Sequence, residues 1–182
     1  MKRLTFFMVA IMALCLTAIA QKQSSKTLVA YFSATGTTAR AAEKLVEAVG
    51  GDLYLIAPAQ SYTSADLDWN NKQSRSSVEM NNPKMRPAIK SKKENIGTYD
   101  VVFIGYPIWW DLAPRIINTF IESHSLKGKT VVPFATSGGS SIGNSATVLK
   151  KTYPDLNWKE GRLLNRTDEK AIRAWLDVIA VK

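Results

Sequence analysis

Cysteine is nearly absent: Cys15 is the only one in 182 residues. It falls in an apolar N-terminal stretch, so the remainder of the chain has no disulfide, no thiolate metal site and no thiol nucleophile. Histidine is as scarce. His124 stands alone, near the end of a predicted helix where an imidazole serves the last carbonyls, and no partner for base catalysis is evident. The Gly-x-x-x-x-Gly-Lys-Ser/Thr loop of nucleoside triphosphate binders and the Gly-x-Gly-x-x-Gly fingerprint of dinucleotide binders are both missing. Acidic residues are few, 15 against 24 Lys and Arg, giving a net charge of +9. A basic balance suggests anionic partners. The densest basic cluster, Lys84, Arg86, Lys90, Lys92 and Lys93, has no aromatic residues interleaved with it, which argues against nucleic acid. A solvated loop is the first reading, and a docking patch for an acidic partner the second.

Met1-Lys2-Arg3 is a short basic start, Leu4 to Ala20 is uncharged and apolar, and Ala18-Ile19-Ala20 precedes a polar run. That is the layout of a secretory signal peptide over residues 1–20, followed by a linker over 21–26 and a domain over 27–182. The apolar run falls short of the about 20 residues of a membrane span. Leu14 is too bulky for the residue before a lipidated cysteine. The expectation is an exported protein, periplasmic or secreted, with no stable membrane span after cleavage. Cleavage leaves 162 residues with 22 basic and 15 acidic side chains, a net charge of +7. That length suits one domain burying roughly 70% of its unfolded surface.

What the sequence does have begins at Leu28-Val29-Ala30-Tyr31-Phe32, a continuous apolar run expected of a strand buried on both faces. Ser33-Ala34-Thr35-Gly36-Thr37-Thr38 follows, four hydroxyls and a glycine in six residues, and then a helix to about Val49 with Ala42, Leu45, Val46 and Val49 at helical spacing. A strand feeding a helix through such a turn gathers unpaired N–H groups and the positive helix end in one place. One hydroxyl would suffice for an ordinary N-cap. Four suggest a phosphate site built from Ser33, Thr35, Gly36, Thr37 and Thr38.

Asp52 to Ile56 reads as a second strand. Residues 57–97 are polar, carry Pro58, Pro83 and Pro87, and show little periodicity, apart from a short helix that Ser64 could cap over Ser64 to Trp69. Two readings stay open for this insertion: a decorated crossover covering the sheet edge, or a flap beside a ligand with Tyr62 and Trp69 as its aromatics. Tyr99 to Tyr106 is the third strand. Pro107-Ile108-Trp109-Trp110-Asp111-Leu112-Ala113-Pro114 follows it, with Pro114 suited to the first position of a helix over Arg115 to Glu122. A proline-stiffened loop carrying flat aromatics at a strand's carboxyl end can stack on a planar ring. The alternative is that both tryptophans belong to the core.

Lys129 to Ala135 is the fourth strand, with Pro133 marking a bulge or the strand's start. Thr136-Ser137-Gly138-Gly139-Ser140-Ser141-Ile142-Gly143-Asn144 repeats the logic of the first loop, leading into a helix from about Ser141 to Pro154. Its candidate ligand contacts are Thr136, Ser137, Gly138, Gly139, Ser140 and Gly143; a ligand-free loop is the alternative. The stretch is read as unlike the Gly-x-Ser-x-Gly of a serine nucleophile, which also needs a histidine. Leu156 to Leu164 is a fifth, edge strand. A last helix, capped by Thr167 or Asp168, places Ile172, Trp175, Leu176 and Ile179 on one apolar face, with Trp175 in the core.

The hydroxyl-rich loop after the first strand resembles the Ser/Thr-x-Thr-Gly-x-Thr phosphate loop of the flavodoxins, and Pro107-Ile108-Trp109 resembles their Pro-x-Trp segment. The resemblance covers about residues 27–182. It implies an α/β, three-layer fold, a five-stranded parallel sheet in order 2-1-3-4-5 with helices on both faces, and FMN as cofactor. It implies that Ser33, Thr35, Gly36, Thr37 and Thr38 take the phosphate and that Pro107, Ile108, Trp109 and Trp110 lie at the ring, with Trp109 stacking. Thr136 to Gly143 would meet the pyrimidine side. Flavodoxins are acidic and carry an aromatic in the third loop; this chain is basic and has none there. Either the insertion covers that face of the ring, or the face is open to a substrate. The expected function is electron transfer through FMN with a redox partner protein or a small acceptor. An FMN-dependent NAD(P)H or quinone reductase and a non-catalytic binding module are the alternatives. No residue is singled out as catalytic or as a metal ligand.

Overall fold

The computed structural model describes residues 25–165 and 168–181. The expected signal peptide, Cys15 and Thr167 lie outside them. The strands are β1 (Thr27–Tyr31), β2 (Asp52–Leu55), β3 (Val101–Pro107), β4 (Thr130–Thr136), β5 (Asn157–Trp158) and β6 (Arg162–Leu163). The helices are α1 (Thr37–Val49), α2 (Arg75–Asn81), α3 (Arg115–Ser123), α4 (Gly143–Thr152) and α5 (Glu169–Val178), with a 3-10 turn at Ile96–Thr98. All pairings in the sheet are parallel, in the order β2-β1-β3-β4-β5, and β6 also pairs with β4.

The period-2 alternation of a strand divides the core in two. Leu28, Ala30 and Phe32 from the first strand join Ile104, Tyr106, Ile116, Ile117 and Phe120 on the face covered by α3 and α4. Val29 and Tyr31 join Phe103, Phe134, Leu45, Ile172, Trp175 and Leu176 on the face covered by α1 and α5. Helices on both faces explain why the strands read as unbroken apolar runs. Gly105 lies under the Phe134 ring; a Cβ there would stand 2.1 Å from Cζ. Asp168 accepts from the Ala171 N–H at 2.8 Å and caps α5.

Several expectations are corrected. The fifth strand is broken into β5 and β6, because the chain at Gly161 passes against Pro133. A Cβ on Gly161 would sit 2.7 Å from the Pro133 carbonyl oxygen. Pro133 is not a strand start, but it does mark an irregularity: Val131 pairs with Trp158 and Phe134 with Arg162, so two residues of β4 face three of the neighbouring strand there. Pro133 pairs with Ile104 in mid-strand, tolerated beside the gap between β5 and β6. The short helix in the insertion is not at Ser64–Trp69 but at Arg75–Asn81, capped by Ser74, which accepts from Ser77 N–H. Asp66 turns back on Thr63, and Asp68 and Asn71 each accept from an N–H two residues on. These local bonds compete with a helix through residues 63–73. Finally, Pro114 is the residue before α3 rather than its first, and α4 starts at Gly143.

Candidate functional site

The switch in strand order lies between β1 and β3, where loops leaving their carboxyl ends diverge and open a crevice. The first loop turns on Gly36, whose φ of 85° is left-handed and favours glycine. Ser33 accepts the Gly36 N–H at 3.1 Å. The helix's own bonding begins with Arg40 N–H to the Gly36 carbonyl. The amides of Thr37, Thr38 and Ala39 therefore have no helical acceptor. Thr35 and Thr37 are exposed. Thr38 is 1% exposed, and its hydroxyl meets that of Thr136, itself 3% exposed, at 2.8 Å. These two expected ligands thus tie the first loop to the third. Arg40 reaches back to the Thr37 hydroxyl at 3.4 Å, which puts a cation beside the loop that sequence reasoning did not assign to it.

After β3, Trp109 and Leu112 exchange backbone hydrogen bonds of 3.0 and 2.9 Å. The two residues between them, Trp110 and Asp111, have φ of 47° and 61°. Both lie in the left-handed region, the geometry of a type I′ turn, which ordinarily selects Asn and Gly. Trp110 stays 44% exposed. Trp109 is half-buried and meets Phe32 and Tyr62 edge-on, at centroid distances of 5.5 and 5.4 Å. Tyr62 donates to Glu79 at 2.5 Å, Glu79 pairs with Arg75 at 2.7 Å, and the Arg75 guanidinium covers the Tyr62 ring at 4.0 Å. Burial, then the neighbouring carboxylate, holds the Tyr62 phenol above its ordinary range, so it remains a donor. Through this cluster the insertion grips the tryptophan turn.

The third loop is internally braced. Ser137 accepts from Gly139 and Ser140 N–H at 3.1 and 2.8 Å. Asn165 clasps Ser137 from outside, accepting its N–H at 2.8 Å and donating to its carbonyl at 2.6 Å. Against expectation, Gly139-Ser140-Ser141-Ile142-Gly143 does have the Gly-x-Ser-x-Gly spacing. It is no nucleophile elbow: Ser141 accepts from Gly143 N–H at 3.4 Å, and the one histidine is committed elsewhere. His124 accepts from Lys93 N–H through Nε2 and donates Nδ1–H to the Phe120 carbonyl.

Two clefts share a wall. One, about 650 Å³, is lined by Thr35, Thr37, Pro107, Ile108, Trp109, Thr136, Ser137, Gly138 and Asn165. No carboxylate lines it. The other, about 430 Å³, runs along Thr35 and Pro107 to Trp110 and is closed by Leu67, Trp69 and Ser76 of the insertion. Nine expected residues line one or both clefts: Thr35, Thr37, Pro107, Ile108, Trp109, Trp110, Thr136, Ser137 and Gly138. Ser33, Gly36, Thr38, Gly139, Ser140 and Gly143 belong to the same loops but line neither cleft. Of the two expected flap aromatics, Trp69 lines the apolar cleft, 72% exposed, and Tyr62 supports Trp109 from behind. Asn165, Arg40, Leu67 and Ser76 were missed. None of the four carries a local sequence signal for the site. The donor set of the larger cleft, free amides with hydroxyls and no acid, fits a phosphate monoester joined to a flat polar ring.

The flavodoxin family profile matches residues 26–179. No curated protein matches the chain. Among solved structures, a protein from Bacteroides eggerthii DSM 20697, provisionally named a flavoprotein, is 94% identical over 87% of this chain and 100% of its own, with a TM-score of 0.87. A second so named, from Bacteroides uniformis ATCC 8492, is 59% identical over 85% of this chain and 99% of its own, TM-score 0.82. A flavoprotein in complex with FMN from Lactobacillus acidophilus NCFM is 21% identical over 86% and 99%, TM-score 0.70, a likeness of fold.

Proposed function

The chain belongs to the flavodoxin family, and from that premise we propose that it binds FMN and passes electrons through it. The observation that carries this reading is the meeting of three loops, from the ends of β1, β3 and β4, around one cleft without carboxylates. The amides of Thr37, Thr38 and Ala39 and the hydroxyls of Thr35 and Thr37 are the phosphate donors, with Arg40 beside them. Trp109 and Ile108 offer the apolar wall for the ring, and the loop at Thr136 to Gly138 offers backbone groups to its polar edge. FMN supplies the redox chemistry; the protein binds it, orients it and sets how much water reaches it. The FMN complex of the Lactobacillus acidophilus flavoprotein supports the cofactor assignment.

A reductase is the second reading, and the apolar cleft favours it. Leu67, Trp69 and Trp110 leave about 430 Å³ open beside the shared wall, room for a small flat acceptor. The test is a visible spectrum of the purified protein with and without added FMN, followed by assay with NADH or NADPH and 1,4-naphthoquinone. A bound flavin spectrum with negligible turnover fits a carrier, and sustained turnover fits the reductase. A colourless protein that ignores added FMN ends both and leaves a non-catalytic binding module. The basic start and the apolar run to Ala20 support export, so the mature N-terminus by sequencing is expected at Gln21.

A further inference from the structure

We propose that the cavity behind the tryptophan turn binds a small oxyanion on Arg115. This residue opens α3 and is 7% exposed. One of its five donors is bonded in the structure: Nη2 gives a hydrogen bond to the Met80 carbonyl at 2.8 Å. Nε is buried and meets no partner. No carboxylate pairs with Arg115 among the described residues. Burial, and then the field of another cation, Arg86, hold the Arg115 guanidinium below its ordinary range. Arg86 cannot share its own counterion, because Glu122 is engaged by it through both carboxylate oxygens, at 2.7 and 2.8 Å.

Buried guanidinium groups are normally paired, since an unpaired buried charge is costly. Arg115 instead lines a cavity of about 210 Å³ with Arg86, Asn118, Ser145 and Thr152, the volume of about seven waters at about 30 Å³ each. No acidic residue lines it. Asn118 gives an amide N–H to Tyr153, Ser145 donates to the Ile142 carbonyl just before α4, and Thr152 donates to Val148 within it. Arg86 is held by Glu122, so Arg115 is the lining cation with uncommitted donors. The start of α3 adds its positive end. The ligand is therefore a compact oxyanion: inorganic phosphate or sulfate, or the carboxylate of a small acid. Leu112 and Ala113 form part of the same wall. Bound there, the anion joins the insertion at Met80 and Pro83 to the base of the turn that carries Trp109 and Trp110.

The test is a thermal-shift titration of the purified protein with sodium phosphate, sulfate and acetate, each against sodium chloride at equal ionic strength, before and after saturation with FMN. A ligand that binds only the folded state raises Tm by mass action. The expected result is a saturable rise of several degrees with at least one oxyanion. It persists when FMN fills the first loop, is lost in Arg115→Met and is partly kept in Arg115→Lys. Activity of phosphate or sulfate alone identifies an inorganic anion, and activity of acetate a carboxylate. The proposal is overturned if no oxyanion exceeds chloride, which means water only, or if Arg115→Met keeps the full rise. Should Arg115→Met not fold, wild-type crystals soaked in selenate decide: an anomalous peak beside Arg115 supports the site, and a peak only at Ser33–Thr38 rejects it. The titration without FMN, the Arg115 variants and the selenate soak read out whether or not FMN binds.

Discussion

Gly105 and Trp109 stand four residues apart and carry opposite kinds of constraint. Gly105 has no room for even a methyl group, because the Phe134 ring occupies that space. Gly105→Ala should cost about 1–3 kcal/mol through overpacking, read as a fall in the urea midpoint with an unchanged slope. Trp109 has its edge contacts filled by Phe32 and Tyr62 while remaining on the wall of both clefts. Trp109→Ala should weaken FMN binding by about 1–3 kcal/mol, the range of base–aromatic stacking. Unchanged affinity in a fluorescence titration would remove Trp109 from the site. His124 sets a pH limit. Burial, and then Lys92, lower its pKa below the ordinary value, and Nε2 is already an acceptor for Lys93 N–H. The folded state therefore favours neutral imidazole. Its contribution is intact above the unfolded value of about 6.5 and is lost as pH falls through the lower folded value. Wild type should lose Tm more steeply than His124→Gln as pH falls below about 6.5. Parallel profiles would show that this histidine does not drive the loss.

The elements were legible wherever periodicity and burial agree. β1, β3 and β4 lie between two helical layers, so their apolar runs are continuous. The amphipathic faces of α3 and α5 follow from the same burial. Where a short segment is decided by local side-chain bonds or by one close approach, the sequence signal fades. Arg75–Asn81 is seven residues long and depends on the Ser74 cap, and the break between β5 and β6 depends on Gly161 meeting Pro133. The loops were legible by composition, their internal wiring was not. That Asn165 would hold Ser137 across 28 positions, or that Thr38 would bond Thr136 across 98, has no local signature. Nor does the tryptophan turn, which adopts a shape its residues disfavour. Two non-glycine residues at φ of 47° and 61° each bear a left-handed penalty of about 1–2 kcal/mol, held by the flanking bonds between Trp109 and Leu112. Asp111→Gly should remove one penalty. Offset by the entropy glycine adds to the unfolded chain, the net gain is about 0.5 kcal/mol. Chemical denaturation checks it; a loss of stability would mean the Asp111 side chain holds the turn.

At the scale of the whole molecule, the ligand site and the fold share their supports. The phosphate loop leaves β1, the tryptophan turn leaves β3 and the Ser-Gly loop leaves β4, and these three strands are the centre of the sheet. A ligand spanning all three loops binds only a chain in which the central register is formed, so its binding energy is added to folding. At a free concentration 100 times Kd this amounts to about 2.7 kcal/mol. In a domain of this size each kcal/mol moves Tm by about 2–4 °C, so FMN should raise Tm by about 5–10 °C. Riboflavin separates the two halves of the site. It keeps the ring but has no phosphate for the amides of Thr37, Thr38 and Ala39, so at equal concentration its shift should be much smaller. Equal shifts would show that the hydroxyl-rich loop contributes nothing to binding, and that the cleft between Trp109 and Ser137 acts alone.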